Sequence, residues 1–167
     1  MENYYDEERN TLAEIKTAVE NYFRREDLQY SPFDERNIAS VPWNIDLKLL
    51  NTVTVYFRAY DDKLVIHFIL PVRAAEEVRE KVGEFLLRAN YGLKVGGFDF
   101  DFNDGEISYR IAYYLGEEEF AVPTYEQLDF AMSVGLTMVQ KYGDALMKVM
   151  YGFIQPEAAI IEAEAED

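Results

Sequence analysis

The 167-residue chain has no cysteine. That absence removes disulfides, thiolate nucleophiles, zinc–thiolate sites and iron–sulfur clusters together. There is one histidine, His67, so an imidazole metal site has no second ring to share the ion. Basic residues are scarce: 16 Lys and Arg stand against 32 Asp and Glu, a formal charge of −16. A nucleic-acid binder carries a basic face to neutralise phosphates, and this balance argues against one. No apolar run approaches the ~18 residues that a membrane span needs. The leading MENYYDEERN has neither the basic nor the apolar region of a signal peptide, so a cytoplasmic protein is expected.

Hydrophobic residues make up 49% and aromatics 15%, with 13 Tyr and 11 Phe, a composition that folds. The length suits one domain, expected over residues 1–154, followed by an acidic tail over 155–167 (QPEAAIIEAEAED) that reads as solvated and disordered.

Leu12, Ile15, Val19, Tyr22 and Phe23 recur at helical spacing and predict a first helix from about Glu7 to Glu26, with Asn10 and Thr11 as candidate caps. Residues 27–46, with Pro32 and Pro42, read as a connector, and Trp43 within it as a cover for one edge of the core. The period then changes to two. Val53, Val55, Phe57 and Ala59 alternate up to Asp61–Asp62, and Leu64, Ile66, Phe68 and Leu70 alternate after it. A two-residue loop there pairs Ala59 with Leu64, Phe57 with Ile66 and Val55 with Phe68. A further strand around Ile45–Leu49 is expected from its own alternation, and Pro71 is expected to end the strand before it.

A second helix over about 74–90 buries Val78, Val82, Phe85, Leu86 and Ala89. Next, FDFDFNDGEISYRIAYYL reads as a hairpin turning at Asp104–Gly105, which would place Phe102 opposite Ile107, Phe100 opposite Tyr109 and Phe98 opposite Ile111. That register also sets Asp99 opposite Arg110 as an outer-face ion pair. The last helix starts at Thr124, with Gln127 completing a capping box, and runs to about Phe153. Gly135 and Gly143 interrupt it, and a kink or break is expected near Gly143.

Catalytic and metal chemistry find no footing. Asp99, Asp101 and Asn103 have the opening spacing of an EF-hand loop, but Gly and Arg110 fall where that loop needs other residues. No serine stands in a nucleophile elbow, and the Val95–Gly96–Gly97–Phe98 run lacks the phosphate-loop pattern. No cofactor is implied. The outward positions of the sheet are more informative. Tyr56, Arg58, Tyr60, His67, Arg110 and Tyr114, with Val65, Ile69 and Ala112, project from one face. Tyr and Arg are enriched at interface cores, so this face is either a protein-binding or dimerisation surface, or lies under the second helix or the connector. The last helix raises the same question through Phe130, Met138 and Tyr142, which lie off its main stripe.

The order α-β-β-β-α-β-β-α implies an α+β fold, one antiparallel sheet of about five strands with three helices. In the run Phe85–Tyr91, then Leu93–Asp99, then Asp104–Arg110, the chain resembles the YbjN domain family, proposed bacterial regulators of sensory transduction. A helix ending in Asn, a Gly-containing link, an aromatic–acid strand and an acid–Gly turn before a strand carry the resemblance. It implies a fold like that of type III secretion chaperones and a homodimeric, non-enzymatic binding module. The partner would be another protein, which the net charge suggests is basic. The alternative is a small-molecule-binding or hydrolytic domain with a pocket between the sheet and the long C-terminal helix.

Overall fold

The computed structural model describes residues 11–116 and 122–165. Along the chain these form α1 (Thr11–Arg25), β1 (Ile38–Asn44), β2 (Thr52–Ala59), β3 (Lys63–Arg73), α2 (Arg79–Asn90), β4 (Gly97–Phe100), β5 (Glu106–Tyr114), α3 (Tyr125–Met150) and α4 (Pro156–Glu164). A single 3-10 turn over Glu76–Val78 leads into α2. The fold is α+β, one antiparallel sheet in the order β1-β2-β3-β5-β4.

The two period-two segments pair as their pattern requires, with Ala59 opposite Leu64, Phe57 opposite Ile66 and Val55 opposite Phe68. The alternation sends Val53, Val55, Phe57, Leu64, Ile66 and Phe68 to the inner face, where all are buried. Full burial of each such side chain contributes about 1.5–3 kcal/mol. α1 closes one end of that face with Ile15, Val19, Tyr22 and Phe23, and α2 closes the other with Val82, Phe85, Leu86 and Ala89. Between them α3 packs on β3 and β5, while α4 lies outside, against α2 and α3. The N-terminus of α3 is held as its sequence indicates: Gln127 N–H donates to Thr124 Oγ1 at 3.1 Å and Thr124 N–H to Gln127 Oε1 at 2.9 Å. The candidate cap Asn10 lies outside the described residues.

Several elements differ from expectation, each for a physical reason. The third strand belongs inside the expected connector, as β1, and Ile45–Leu50 is loop. Pro42 is tolerated because β1 is an edge strand, where a missing N–H costs no ladder bond. Trp43 does lie half-buried against the core, opposite Val53. Pro71 does not end β3. It sits in an irregularity between Ile69 and Arg73, where the pairing with β5 is already interrupted.

The β4–β5 register is displaced by two residues, with Phe98 opposite Tyr109 and Phe100 opposite Ile107. A longer turn takes up Asp101–Gly105, because Asp101 Oδ1 accepts from Asn103 N–H at 2.7 Å and folds the chain early. Gly105 then meets Ala74, whose N–H donates to Gly105 O at 2.9 Å. Its φ is +79° and an added Cβ would lie 2.2 Å from Ala74 O, so only glycine fits. Phe102 leaves the sheet, lies over Gly83 of α2 and meets Phe100 edge-on at 4.7 Å. A shift of two preserves the faces, so the Asp99–Arg110 pair survives as a diagonal one.

α3 is continuous through both glycines. They are approach points instead of breaks: an added Cβ at Gly135 would lie 2.1 Å from the Phe68 ring, and one at Gly143 would lie 2.6 Å from Leu47. The helix ends before Phe153, which is 75% exposed. Residues 156–164 are helical, where a solvated tail was expected. Pro156, Ala159 and Ala163 are buried in that packing, and small residues give helical spacing without a conspicuous apolar stripe.

Candidate functional site

Because α1, α2 and α3 pack on the inner face and α4 lies behind α2 and α3, the outer face of the sheet is left uncovered among the described residues. The register lays its side chains in rows. Ser40, Tyr56, His67, Arg110 and Gly97 form one row across all five strands. Beside it run Ile38, Arg58, Val65 and Ala112, and on the other side Pro42, Thr54, Ile69, Ser108 and Asp99. Tyr60 continues β2 into the turn, and Tyr114 stands opposite Lys63 at the same end. All six residues singled out from the sequence therefore share this face, with Tyr56, His67 and Arg110 as cross-strand neighbours.

The end near the turn is a cation–aromatic group. The Arg58 guanidinium lies 5.2 Å and the Lys63 ammonium 5.5 Å from the Tyr60 ring centre. Tyr114 is 73% exposed there. Toward the other end, Arg110 pairs with Asp99, Nη2 to Oδ1 at 3.3 Å with a shorter contact from Nε, and this carboxylate raises the guanidinium pKa. Lys63 pairs with Asp62 at 3.0 Å. Of Arg58, Lys63 and Arg110, only Arg58 has no carboxylate partner among the described residues. The unspent charge on this face is thus positive, in a chain that is strongly acidic overall.

His67 lies at the centre of the face, half-buried. Burial pushes its pKa below the usual imidazole value; Asp99 and Glu106 oppose the shift, and Arg110 and Arg58 reinforce it. The ring is neutral at pH 7 and can be covered by a partner without stripping a charge.

Both edges of the sheet are occupied. On β1, Ser40 exchanges N–H to O bonds of 3.1 and 2.8 Å with Ser31, and Ile38 is bonded through both backbone groups to Asp34. On β4, the Asn90 side chain takes both backbone groups of Phe98. An incoming strand finds few free donors and acceptors, so a partner meets the face and not an edge.

The carboxylates of the β4–β5 turn are committed to the turn itself. Asp101 holds Asn103, Asp104 Oδ1 accepts from Glu106 N–H at 2.9 Å, and Arg73 pairs with Asp104 and Glu106. Among the described residues no group of three or more His, Asp or Glu side chains is placed to hold a metal ion. Where the sheet meets α3, the close approach of Gly135 to Phe68 leaves no room for a pocket at that point. A cleft of about 360 Å³ does exist, on the other side of α3, bounded by α4 and the loop between β1 and β2. Neither this cleft nor the bonds that Asn90 makes to β4 were foreseen from the sequence, although Asn90 itself stands in the run that carries the resemblance; the adjacent Gly143–Asp144 pair inside a helix was the cleft's only signal.

The family model for YbjN, described as "Putative bacterial sensory transduction regulator", matches residues 16–148. Among solved structures, the crystal structure of YbjN from E. coli is 8% identical, with a TM-score of 0.51 over 73% of this chain and 83% of that one. A chain from "Structure of the HopA1-SchA Chaperone-Effector Complex" is 15% identical, with a TM-score of 0.47 over 75% of this chain and 89% of its own. No curated protein sequence matches. No helix among the described residues is long and apolar enough to cross a membrane.

Proposed function

This chain belongs to the YbjN family, and from that premise we propose that it is a non-enzymatic protein-interaction module. It acts in the cytoplasm as a homodimer in regulation or in chaperoning another protein. The observation that carries this reading is the outer sheet face. Tyr56, His67 and Arg110 stand in one row, and Val65, Ile69, Tyr60 and Tyr114 flank it. No described element covers that face, and the sheet edges are occupied. Aromatic and Arg side chains at the centre of a face are what interface cores use. The basic partner suggested by net charge would meet Asp99 and Glu106 here, which Arg110 and Arg73 already pair. Arg58 favours a carboxylate on whatever docks.

The test is solution mass by light scattering at low and high salt, on the full chain and on the Tyr56→Ala/Val65→Asp variant. The expected result is a species of about 39 kDa, twice the 19.5 kDa chain, that becomes tighter with salt. Two chains of charge −16 repel, and salt screens that repulsion without weakening an apolar contact. The variant should be monomeric and folded. A full-length chain that is monomeric at every concentration sinks the homodimer. A variant that dimerises as before sinks the assignment of the face.

A further inference from the structure

Between β1 and β2 the chain forms a loop over residues 45–51, closed by Ile45 N–H donating to Asn51 O at 2.9 Å. Two adjacent residues inside α3 pin this loop. Gly143 lets Leu47 press onto the helix, since a Cβ there would lie 2.6 Å from Leu47 Cδ1. The Asp144 carboxylate accepts from Lys48 N–H at 3.1 Å and from Leu49 N–H at 2.9 Å. A glycine in a helix interior costs about 1 kcal/mol relative to alanine, so the chain accepts a local cost to hold the loop upright. The result is a standing wall that faces α4 across the 360 Å³ cleft.

The cleft is amphipathic. Leu47, Leu49, Ala145 and Phe153 supply apolar surface, and Leu49 and Phe153 remain 39% and 75% exposed. Lys48, Lys141 and Lys148, three of the chain's seven lysines, lie along its lining. Its acids are already spent, Asp144 on the two loop N–H groups and Glu162 on the Lys148 ammonium. The Lys48 ammonium has no ion pair or hydrogen bond among the described residues. An acidic chain repels anions almost everywhere, and this is a preformed concavity that carries, in Lys48, a positive charge uncommitted among the described residues. Its volume falls in the range of roughly 300–1,000 Å³ typical of small-molecule sites.

We propose that this cleft binds an amphipathic carboxylate, an aliphatic chain ending in an anion, with the chain on Leu49 and Phe153 and the carboxylate on Lys48. The site is separate from the sheet face and stands or falls without it. The probe is octanoate, titrated below its micelle concentration into the ¹⁵N-labelled full chain, with 1-octanol as the uncharged control. Saturable shifts are expected at the amides of Lys48, Leu49 and Ala145. Octanol should bind at least about fivefold more weakly, as should octanoate to Lys48→Gln, given the worth of a partly exposed ion pair. That variant keeps the backbone N–H that Asp144 holds, so the loop stays in place. Lys94→Gln, on an exposed link elsewhere, should bind octanoate as the parent does. Absence of shifts, shifts centred on Val65 and Ile69, equal binding of octanol, or an unchanged affinity in Lys48→Gln would each overturn the site.

Discussion

The side chain of Asn90 acts as a strand for Phe98. Its Nδ2 donates to Phe98 O at 2.9 Å, and its Oδ1 accepts from Phe98 N–H at 2.7 Å. One amide at the last residue of α2 thereby closes the outer edge of β4, across a link whose Gly96 has φ +66° and whose Gly97 would bring a Cβ within 3.4 Å of Asn90 Oδ1. This gives a physical account of the Asn and the Gly-containing link that carry the family resemblance. They belong to one clamp.

Replacing Asn90 with Ala leaves a backbone donor and acceptor at a half-buried edge without partners. Two such losses cost about 2 kcal/mol, and for a chain of this size that lowers Tm by roughly 4–8 °C. Asn90→Asp retains the acceptor and should fall between the two. Thermal melts followed by circular dichroism decide it, and a Tm for Asn90→Ala within 1 °C of the parent, well below the roughly 4–8 °C expected, would refute the clamp.

Gly135 and Phe68 are coupled by contact. Glycine to alanine in a helix interior ordinarily stabilises by about 1 kcal/mol. Here the added methyl would stand 2.1 Å from a ring that is fully buried, so the ring must move in a packed core. Gly135→Ala is expected to destabilise by about 1–3 kcal/mol. In the Phe68→Leu background the same change should cost far less. A double-mutant cycle by urea denaturation measures this, and additivity of the two changes would show that the contact does not govern the choice of glycine.

What the sequence conveyed well was local. The two-residue loop at Asp61–Asp62 leaves the β2–β3 register nowhere to slip, and a single slip would send Val55, Phe57 and Ile66 to solvent. The Thr124–Gln127 box and the inner faces of α1 and α2 are likewise set within a few residues. What was hidden depends on distant partners. Phe102 leaves the hairpin because Gly83 of α2 offers it a surface, and the resulting register differs by two. β1 is masked by Pro42, acceptable only because its strand lies at an edge. α4 is masked because its buried side is alanine, which shows no contrast against Ile160 and Ile161. The six face residues were legible, since alternation alone assigns a side. Whether anything covered them was not, because that depends on where all the helices pack.

Removing residues 156–167 should destabilise the fold, contrary to the behaviour of a solvated tail. Ala159 is fully buried, Tyr142 OH donates to Glu164 Oε1 at 3.1 Å, and Arg88 Nη2 pairs with Glu157 at 3.0 Å. Truncation uncovers the outer sides of α2 and α3. The exposed pairs contribute little, so the loss is mainly apolar burial, about 2–3 kcal/mol. The milder Ala159→Asp should produce a loss of similar size by burying a charge. Melting curves unchanged by either would mean that α4 is only weakly attached.

His67 makes stability fall on mild acidification. Burial holds its pKa below the usual imidazole value in the folded chain, outweighing the pull of Asp99 and Glu106. The unfolded chain therefore takes up the proton first. The contribution of the neutral ring is complete above the unfolded pKa of about 6.5 and is lost as pH drops through the lower, folded value. Asp34 and Asp104, whose pKa values are also lowered, act in the same direction but nearer pH 4 and below. Between pH 7.5 and 5.5 the parent should thus lose more Tm than His67→Gln, which cannot titrate there. Since His67 is the only histidine, no other imidazole can mimic the difference. Parallel curves for the two proteins would show that the ring is hydrated in solution, and that the centre of the sheet face is wetter than its burial indicates.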